Sequence, residues 1–235
     1  DPNGPNGSND PNDYDRGMPV RDVLIVGAGP SGLATAIAAK QQGLDYVLVE
    51  KGVLVDAIFN FPTHMVFFTT PELLEIGGLP LVTPYDKPTR LEALRYYRRV
   101  VDTYGLQISF HERVVAIDPP SLAVRASAGW APDEEDAFAV TTEDARGTRR
   151  VRHARAVVLA IGYYDHPNCL GVPGEDLPHV SHYYTDAHPY YRQRVVIVGG
   201  KNSAAEAALE LFRAGAHVTI VHRRPTLGDS IKYWV

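Results

Sequence analysis

The stretch from Asp22 to Leu33 constrains the fold more than any other part of the chain. An apolar run, Val23 to Val26, meets the turn Gly27-Ala28-Gly29-Pro30-Ser31-Gly32, and an alanine-rich helical segment follows at once. A strand, a tight turn and a helix joined this closely open a βαβ unit of the dinucleotide-binding kind. Gly27 turns the chain out of the strand, Gly29 lets a pyrophosphate approach the backbone, and Gly32 lets the helix pack closely on the sheet. The free N–H groups and positive end of that helix can then hold phosphates.

The unit runs on to Glu50. Its helix is expected over Pro30 to Gln42, with Leu33, Ala34, Ile37 and Ala38 on the buried face and Gly43 as the stop. The second strand, from Asp45, ends in Glu50, at the place where a ribose-binding carboxylate belongs, about 20 residues beyond the first glycine. Glu50 can accept from both ribose hydroxyls, and a 2′-phosphate would be repelled there. The alternative is a solvated glutamate at a strand end.

A second, altered copy stands near the other end of the chain. The strand Val195 to Val198 leads into Gly199-Gly-Lys-Asn-Ser-Ala204, a helix is expected over Ala205 to Ala214, and the strand His217 to Val221 ends in His222-Arg223-Arg224. Lys201 replaces the middle glycine of the pattern. The strand-end acid is absent, and a pair of guanidinium groups there suits a 2′-phosphate, hence NADPH over NADH. The alternative is two solvated arginines on a rim.

Between the two copies, residues 52–90 are an aromatic and threonine-rich connection that can line a flat ring system or pack as a buried loop. Thr89 to Tyr104 reads as an amphipathic helix with Leu91, Leu94, Tyr97 and Val101 inward, and Thr89 with Glu92 forms a capping box. From Leu106 to Val158 the pattern alternates and predicts a small antiparallel meander, with strands at Ile108–Phe110, Val114–Ile117, Leu122–Arg125, Phe138–Thr141 and Val151–Arg155. Ala131 to Asp136 is expected as an exposed acidic turn, and Ala156 to Gly162 as a separate buried strand. Histidines 166, 179, 182 and 188 raise the question of a metal, but no ligand-type pair falls on a helix or strand, so no metal site is expected.

Composition narrows the function classes. The net charge is −5, and Asp1, Asp10, Asp13 and Asp15 against Arg16 place much of it in the first twenty residues. Neither nucleic acid nor an anionic membrane is indicated as a partner. The single cysteine, Cys169, allows no internal disulfide and fits a reducing cytoplasm. Residues 1–20 have the composition of a disordered leader. The C-terminus stops without a turn or helix, so the chain reads as a fragment. The expected domains are 21–190, carrying the first nucleotide unit, the meander and a crossover, and 191–235, a truncated domain around the second, NADPH-type unit.

Two βαβ nucleotide units separated by a meander form the α/β plan of two-dinucleotide flavoproteins, in which NADPH gives a hydride to the flavin and the flavin stores electrons for a second acceptor. Several longer runs then become specific. They are Gly162 to Asn168, Val172 to Pro178, Ser181 to Tyr190, Gly199 to Glu206, Phe61 to Met65, Thr70 to Gly77 and Ser230 to Trp234. Through them the chain resembles the YpdA-type bacillithiol-disulfide reductase family, which is similar in fold to thioredoxin reductase.

The resemblance implies an enzyme that uses FAD and NADPH to reduce the disulfide of a low-molecular-weight thiol in cytoplasmic redox homeostasis. The acceptor is expected to be a small disulfide or a small redox protein, and the full-length protein a homo-oligomer. Position by position, it puts Gly27, Gly29, Pro30, Ser31, Gly32, Glu50 and Lys51 on FAD, with the Phe61 to Met65 stretch, including Thr63 and Met65, near the isoalloxazine ring. Val114 would offer backbone groups to adenine, and Ala160-Ile161-Gly162 stands where an Ala-Thr-Gly return strand is usual. Gly199, Gly200, Asn202, Ser203 and Ala204 would hold the NADPH pyrophosphate, and His222, Arg223 and Arg224 the 2′-phosphate.

One departure bears on chemistry. Many relatives carry cysteine where this chain has Ser31, and a serine hydroxyl cannot form a mixed disulfide. There is no CxxC, which excludes a dithiol relay within the chain, and Cys169 reads as an incidental thiol. The catalytic residue is therefore open. A ferredoxin or flavodoxin–NADP reductase of the same fold needs no cysteine and is the first alternative. A flavin monooxygenase is the second, although its fingerprint between the nucleotide motifs finds only His188 in place. A non-enzymatic FAD/NADPH sensor, or an inactive fragment, is the third.

Overall fold

The computed structural model of the protein describes residues 20–120, 137–227 and 231. The leader, the Leu122–Arg125 strand, the Ala131–Asp136 turn and most of the Ser230–Trp234 run lie outside these residues. The chain divides into two compact units. One takes in the residues up to Phe59 together with Phe67–Asp165, and the other takes Asn60–Val66 and the residues from His166 on. The expected domain boundary at 190/191 therefore differs from the unit boundary at 165/166. Residues before β-strand 194–198 join the second unit because Ala187 is buried with Leu211 and Ala216, and Tyr184 and Tyr190 pack against them.

In the first unit β1 (Arg21–Val26), α1 (Pro30–Gln41) and β2 (Tyr46–Val49) make the parallel βαβ. The helix starts where Pro30 can occupy its first turn without losing a bond. It ends where Gly43, at φ +70°, lets the chain turn back with Leu44 N–H donating to Ala39 O at 3.0 Å. Leu33 and Ile37 are buried as expected, but Ala36 and Ala39 complete the face, whereas Ala38 is exposed. Alanine stripes carry little amphipathic signal, so the rotation of this helix is set by Leu33 and Ile37, each worth about 1.5–3 kcal/mol when buried.

A short helix α2 (Asp56–Phe59) follows, then α3 (Arg90–Tyr104). Thr89 caps α3 as expected. Its hydroxyl oxygen accepts from Glu92 N–H at 3.2 Å, and Glu92 Oε2 accepts from Thr89 N–H at 2.7 Å. The inward face is Ala93, Tyr96, Tyr97 and Val100, one position round from the expected set, and Leu91 is exposed. Tyrosines replace leucine there because their hydroxyls find partners. Tyr97 OH donates to Leu74 O at 3.0 Å, and Tyr96 OH donates to Leu79 O at 2.8 Å while accepting from Ile76 N–H.

The sheet is completed by β3 (Ile108–Ser109), β4 (Glu112–Asp118), β5 (Phe138–Asp144) and β6 (Arg149–Leu159), in the order β3-β2-β1-β6-β5-β4. Two expectations are corrected. Ile108 belongs to the parallel edge, paired with β2, and not to the meander. The strands expected at Val151–Arg155 and from Ala156 are one continuous strand. Its first half pairs antiparallel with β5 and its second half parallel with β1, so β6 joins the two parts of the sheet. Ala154 sits at that junction, opposite both Arg21 and Phe138, and is fully buried. Leu24, Val49, Val140 and Ala154 form one core across both halves, with Val26, Val114 and Phe138 against it.

A buried charge lies within the meander. Glu112 receives Arg152 Nε at 2.7 Å and Nη2 at 2.8 Å, together with the Thr142 hydroxyl. Burial pushes the Glu112 carboxyl up, but the bonds from Arg152 and Thr142 and the charges of Arg152 and Arg150 outweigh it and hold it below the ordinary value. Removing one partner of such a pair leaves the other desolvated. Arg152→Ala is expected to cost about 2 kcal/mol in chemical denaturation, and the deficit relative to wild type should shrink as pH falls from 6 to 3. The sign follows from the lowered native pKa. The stabilisation is complete above the unfolded carboxylate value and is lost as pH falls through the native one.

The second unit holds β7 (Arg194–Val198), α4 (Asn202–Arg213) and β8 (His217–Val221), a parallel βαβ with β7 and β8 in register from Arg194–His217 to Val198–Val221. The helix begins at Asn202, not Ala205. Ala205 N–H already donates to Lys201 O, which draws Asn202, Ser203 and Ala204 into its first turn.

Candidate functional site

The first glycine turn is built by close backbone approach. Gly27 leaves β1 at φ +104°, its N–H donating to Val49 O at 2.8 Å. A side chain there would meet Ala160 O at 2.5 Å, and one at Gly32 would overlap the Gly27 carbonyl oxygen. Ala160 is itself held by β1, its N–H donating to Val26 O at 2.8 Å. Gly27, Gly32 and Ala160 are thus locked together at the ends of β1 and β6.

Gly29 differs. It is the N-cap of α1 in ordinary extended geometry, no side chain caps the helix, and a Cβ on Gly29 would have no protein atom within 4 Å. Two glycines are demanded by the protein's own packing, and the third fronts open space at the positive end of a helix. That is the arrangement a pyrophosphate needs. Pro30 and Ser31 occupy the first two helical positions, and Ser31 is exposed.

Glu50 lies beneath this turn and is 5% exposed. Its Oε2 accepts from Ala28 N–H at 2.7 Å and its Oε1 from Gly52 N–H at 2.8 Å. The carboxylate thus ties the glycine turn to the end of β2, a structural task that the sequence does not disclose beside the ribose role. Each oxygen keeps a further lone pair that can accept a hydroxyl. Lys51 pairs with Asp165, an acid that sequence reasoning passed over. Gly162, at φ +62°, is exposed just beyond β6. Val114 stands on the sheet's edge strand opposite Thr142, immediately before a register shift that leaves Val115 unpaired between Val114 and Ala116. Gly27, Gly29, Pro30, Ser31, Gly32, Glu50, Lys51, Val114, Ala160 and Gly162 all lie in the first unit.

Thr63 and Met65 do not. They belong to the second unit, where Thr63 N–H donates to Thr185 O at 2.8 Å.

The second turn has the same logic with different chemistry. Gly199 N–H donates to Val221 O at 3.0 Å, which ties the end of β7 to the end of β8. A side chain on Gly200 would strike the imidazole of His222, with Cε1 at 2.6 Å, so His222 lies directly over the turn. Lys201 is the N-cap of α4 in extended geometry without a side-chain cap, and Asn202, Ser203 and Ala204 form the first turn behind it. Arg223 and Arg224 are exposed and form no ion pair among the described residues. Arg223 and Arg224 follow His222 directly after β8, and guanidinium groups of this kind offer the bidentate donors that a phosphate takes.

The two turns therefore differ in charge: a buried acid lies under the first, and two exposed arginines follow the strand that ends at the second. The protein atoms around each fit a dinucleotide.

Comparison with known proteins agrees with this geometry. Residues 24–235 match the family described as pyridine nucleotide-disulphide oxidoreductase. Bacilliredoxin reductase Bdr of Bacillus subtilis is 41% identical over 91% of this chain and 60% of its own length. The solved bacillithiol disulfide reductase Bdr (YpdA) of Bacillus cereus is 42% identical, with a TM-score of 0.82 over 92% of this chain and 62% of that one. A ferredoxin–NADP reductase of Ignicoccus hospitalis is 28% identical over 87% of this chain and 57% of its own length. The chain thus spans about 60% of the first two relatives, and the YpdA-type proteins that its sequence resembles stand ahead of the ferredoxin reductase. With both strand–turn–helix units in place and the match running across them, the chain belongs to the pyridine nucleotide-disulphide oxidoreductase family.

Proposed function

We propose that this chain is the nucleotide-handling part of a flavoprotein oxidoreductase that uses FAD and NADPH to reduce the disulfide of a low-molecular-weight thiol, with bacillithiol disulfide as the first candidate. The observation that carries the reading is the contrast between the two turns. Glu50 is buried beneath the first, and Arg223 and Arg224, exposed and without an ion pair among the described residues, follow His222 at the second. In this reading Gly27, Gly29, Ser31, Gly32 and Glu50 hold FAD. Gly199, Gly200, Asn202, Ser203 and Ala204 hold the NADPH pyrophosphate, and His222, Arg223 and Arg224 its 2′-phosphate. When bound, the nicotinamide and flavin supply hydride and electron transfer, and the protein supplies binding, orientation and charge.

The acceptor is drawn from the printed names of the relatives, one a bacilliredoxin reductase and the other a bacillithiol disulfide reductase. It is therefore a small disulfide or a small redox protein carrying one. Ser31 supports direct passage of electrons to that acceptor, because a hydroxyl at the helix start offers no thiolate. The protein works in the cytoplasm, as its lone cysteine suits, and as a homo-oligomer.

The test is NADPH oxidation by the purified protein with FAD in three parallel assays, containing bacillithiol disulfide, a bacilliredoxin mixed disulfide or oxidised ferredoxin. Stimulation by either disulfide is the expected result. Stimulation by ferredoxin alone would replace this reading with that of a ferredoxin–NADP reductase.

A further inference from the structure

Outside both glycine turns, one loop of the second unit gathers three side chains of metal-ligand type. Cys169, Glu175 and His182 have no ligand-spacing signature in the sequence. In the fold, the Cys169 sulfur, a Glu175 carboxylate oxygen and a His182 ring nitrogen all lie within 4.8 Å of one another. Glu175 organises the group. Its Oε1 accepts from Leu170 N–H and its Oε2 from Gly171 N–H, both at 2.7 Å, which pins the two residues following Cys169. The same Oε1 lies 3.0 Å from His182 Nε2. Cys169 is an exposed free thiol.

We infer that Cys169, Glu175 and His182 form a binding site for a borderline-soft divalent cation, with zinc the ion whose chemistry fits the donor set. Sulfur, imidazole nitrogen and carboxylate oxygen are the three zinc donor types, whereas magnesium and calcium take oxygen. Zinc bond lengths of about 2.0–2.3 Å around a tetrahedral centre place ligand atoms roughly 3.3–3.8 Å apart. The widest spacing, at most 4.8 Å, must close by about 1 Å, while Glu175 Oε1 and His182 Nε2, now 3.0 Å apart, must open slightly. His182 Nε2 turns from Glu175 to the metal. Glu175 keeps its backbone bonds through one lone pair on each oxygen and ligates through another. The fourth position faces solvent and takes water or an external thiolate. The Cys169 thiol proton is released to solvent on binding.

The experiment is a titration of the reduced, purified protein with Co²⁺ as a spectroscopic probe, followed by Zn²⁺ in competition with a chromophoric chelator. One equivalent of Co²⁺ is expected to give a thiolate-to-cobalt charge-transfer band with tetrahedral d–d absorption, both removed by Zn²⁺. Cys169→Ser should abolish the charge-transfer band, and His182→Ala should weaken Zn²⁺ binding at least tenfold. Cys169 is an exposed free thiol, so metal-free melting of Cys169→Ser should stay unchanged, whereas His182→Ala also loses its bond to Glu175. A wild-type protein without the charge-transfer band would overturn the assignment. So would Zn²⁺ affinity that both variants retain, which would place the ion on other histidines.

Discussion

Gly32→Ala is expected to abolish FAD binding and to destabilise the first unit by about 3–5 kcal/mol, because the added methyl has no place to go. It would overlap the Gly27 carbonyl oxygen, which is backbone and cannot swing aside. Gly27 is in turn fixed by its bond to Val49 O and by Ala160 behind it. Relief would require α1 to lift from the sheet, exposing Leu33 and Ile37. Gly29→Ala is the matched control. Its methyl meets no protein atom within 4 Å, and Gly29 has ordinary extended geometry, so stability should change by less than about 0.5 kcal/mol. FAD affinity should nevertheless fall at least tenfold, because the proposed site puts the pyrophosphate in that open space. Thermal melting and flavin titration of the two variants separate a packing glycine from a ligand glycine. A Gly29→Ala protein with unchanged FAD affinity would remove the phosphate from this turn.

Replacing Arg223 and Arg224 together by alanine should weaken NADPH binding about a hundredfold while changing NADH binding no more than about twofold. Each charge-assisted contact to a phosphate is worth roughly 1.5–3 kcal/mol, and the lower end applies to exposed side chains. Tenfold corresponds to about 1.4 kcal/mol, so two contacts give the stated factor. Both arginines are exposed and form no ion pair among the described residues, so their removal breaks no internal ion pair there and the fold should be unaffected. Loss should also be steeper at low ionic strength, where unscreened charge contributes most. Measuring dissociation constants for both nucleotides on wild type and the double variant decides the matter. Equal losses for NADPH and NADH would refute the 2′-phosphate assignment.

What the sequence disclosed and what it withheld divide along local and non-local physics. The strand–turn–helix at Gly27 to Gly32, its copy at Gly199, and the Thr89–Glu92 capping box depend on residues a few positions apart and were legible. The inward face of α3 was not. Of the expected set only Tyr97 is buried; hydropathy favours Leu91, but Tyr96 enters the core because the carbonyl of Leu79 lies within reach of its hydroxyl. The length of β6 was hidden because alternating and continuous apolar patterns meet in one strand at Ala154. Glu112 carries no local signal, because its partners Arg152 and Thr142 come from two other strands. Glu50 was legible as a strand-end acid, but its bonds to Ala28 and Gly52 emerge only once the turn folds over it. Cys169, Glu175 and His182 are the extreme case, since only the path of their loop brings them together.

The central claim is that the Gly27–Gly32 turn with Glu50 is an FAD site, distinct from the arginine-bearing turn downstream. A flavin fluorescence titration of the purified protein tests it most directly, with FAD and FMN compared side by side. The account predicts saturable quenching at one FAD per chain and at least tenfold weaker binding of FMN, which lacks the pyrophosphate bridge and second ribose. Failure to bind FAD, or equal affinity for FMN, would contradict it.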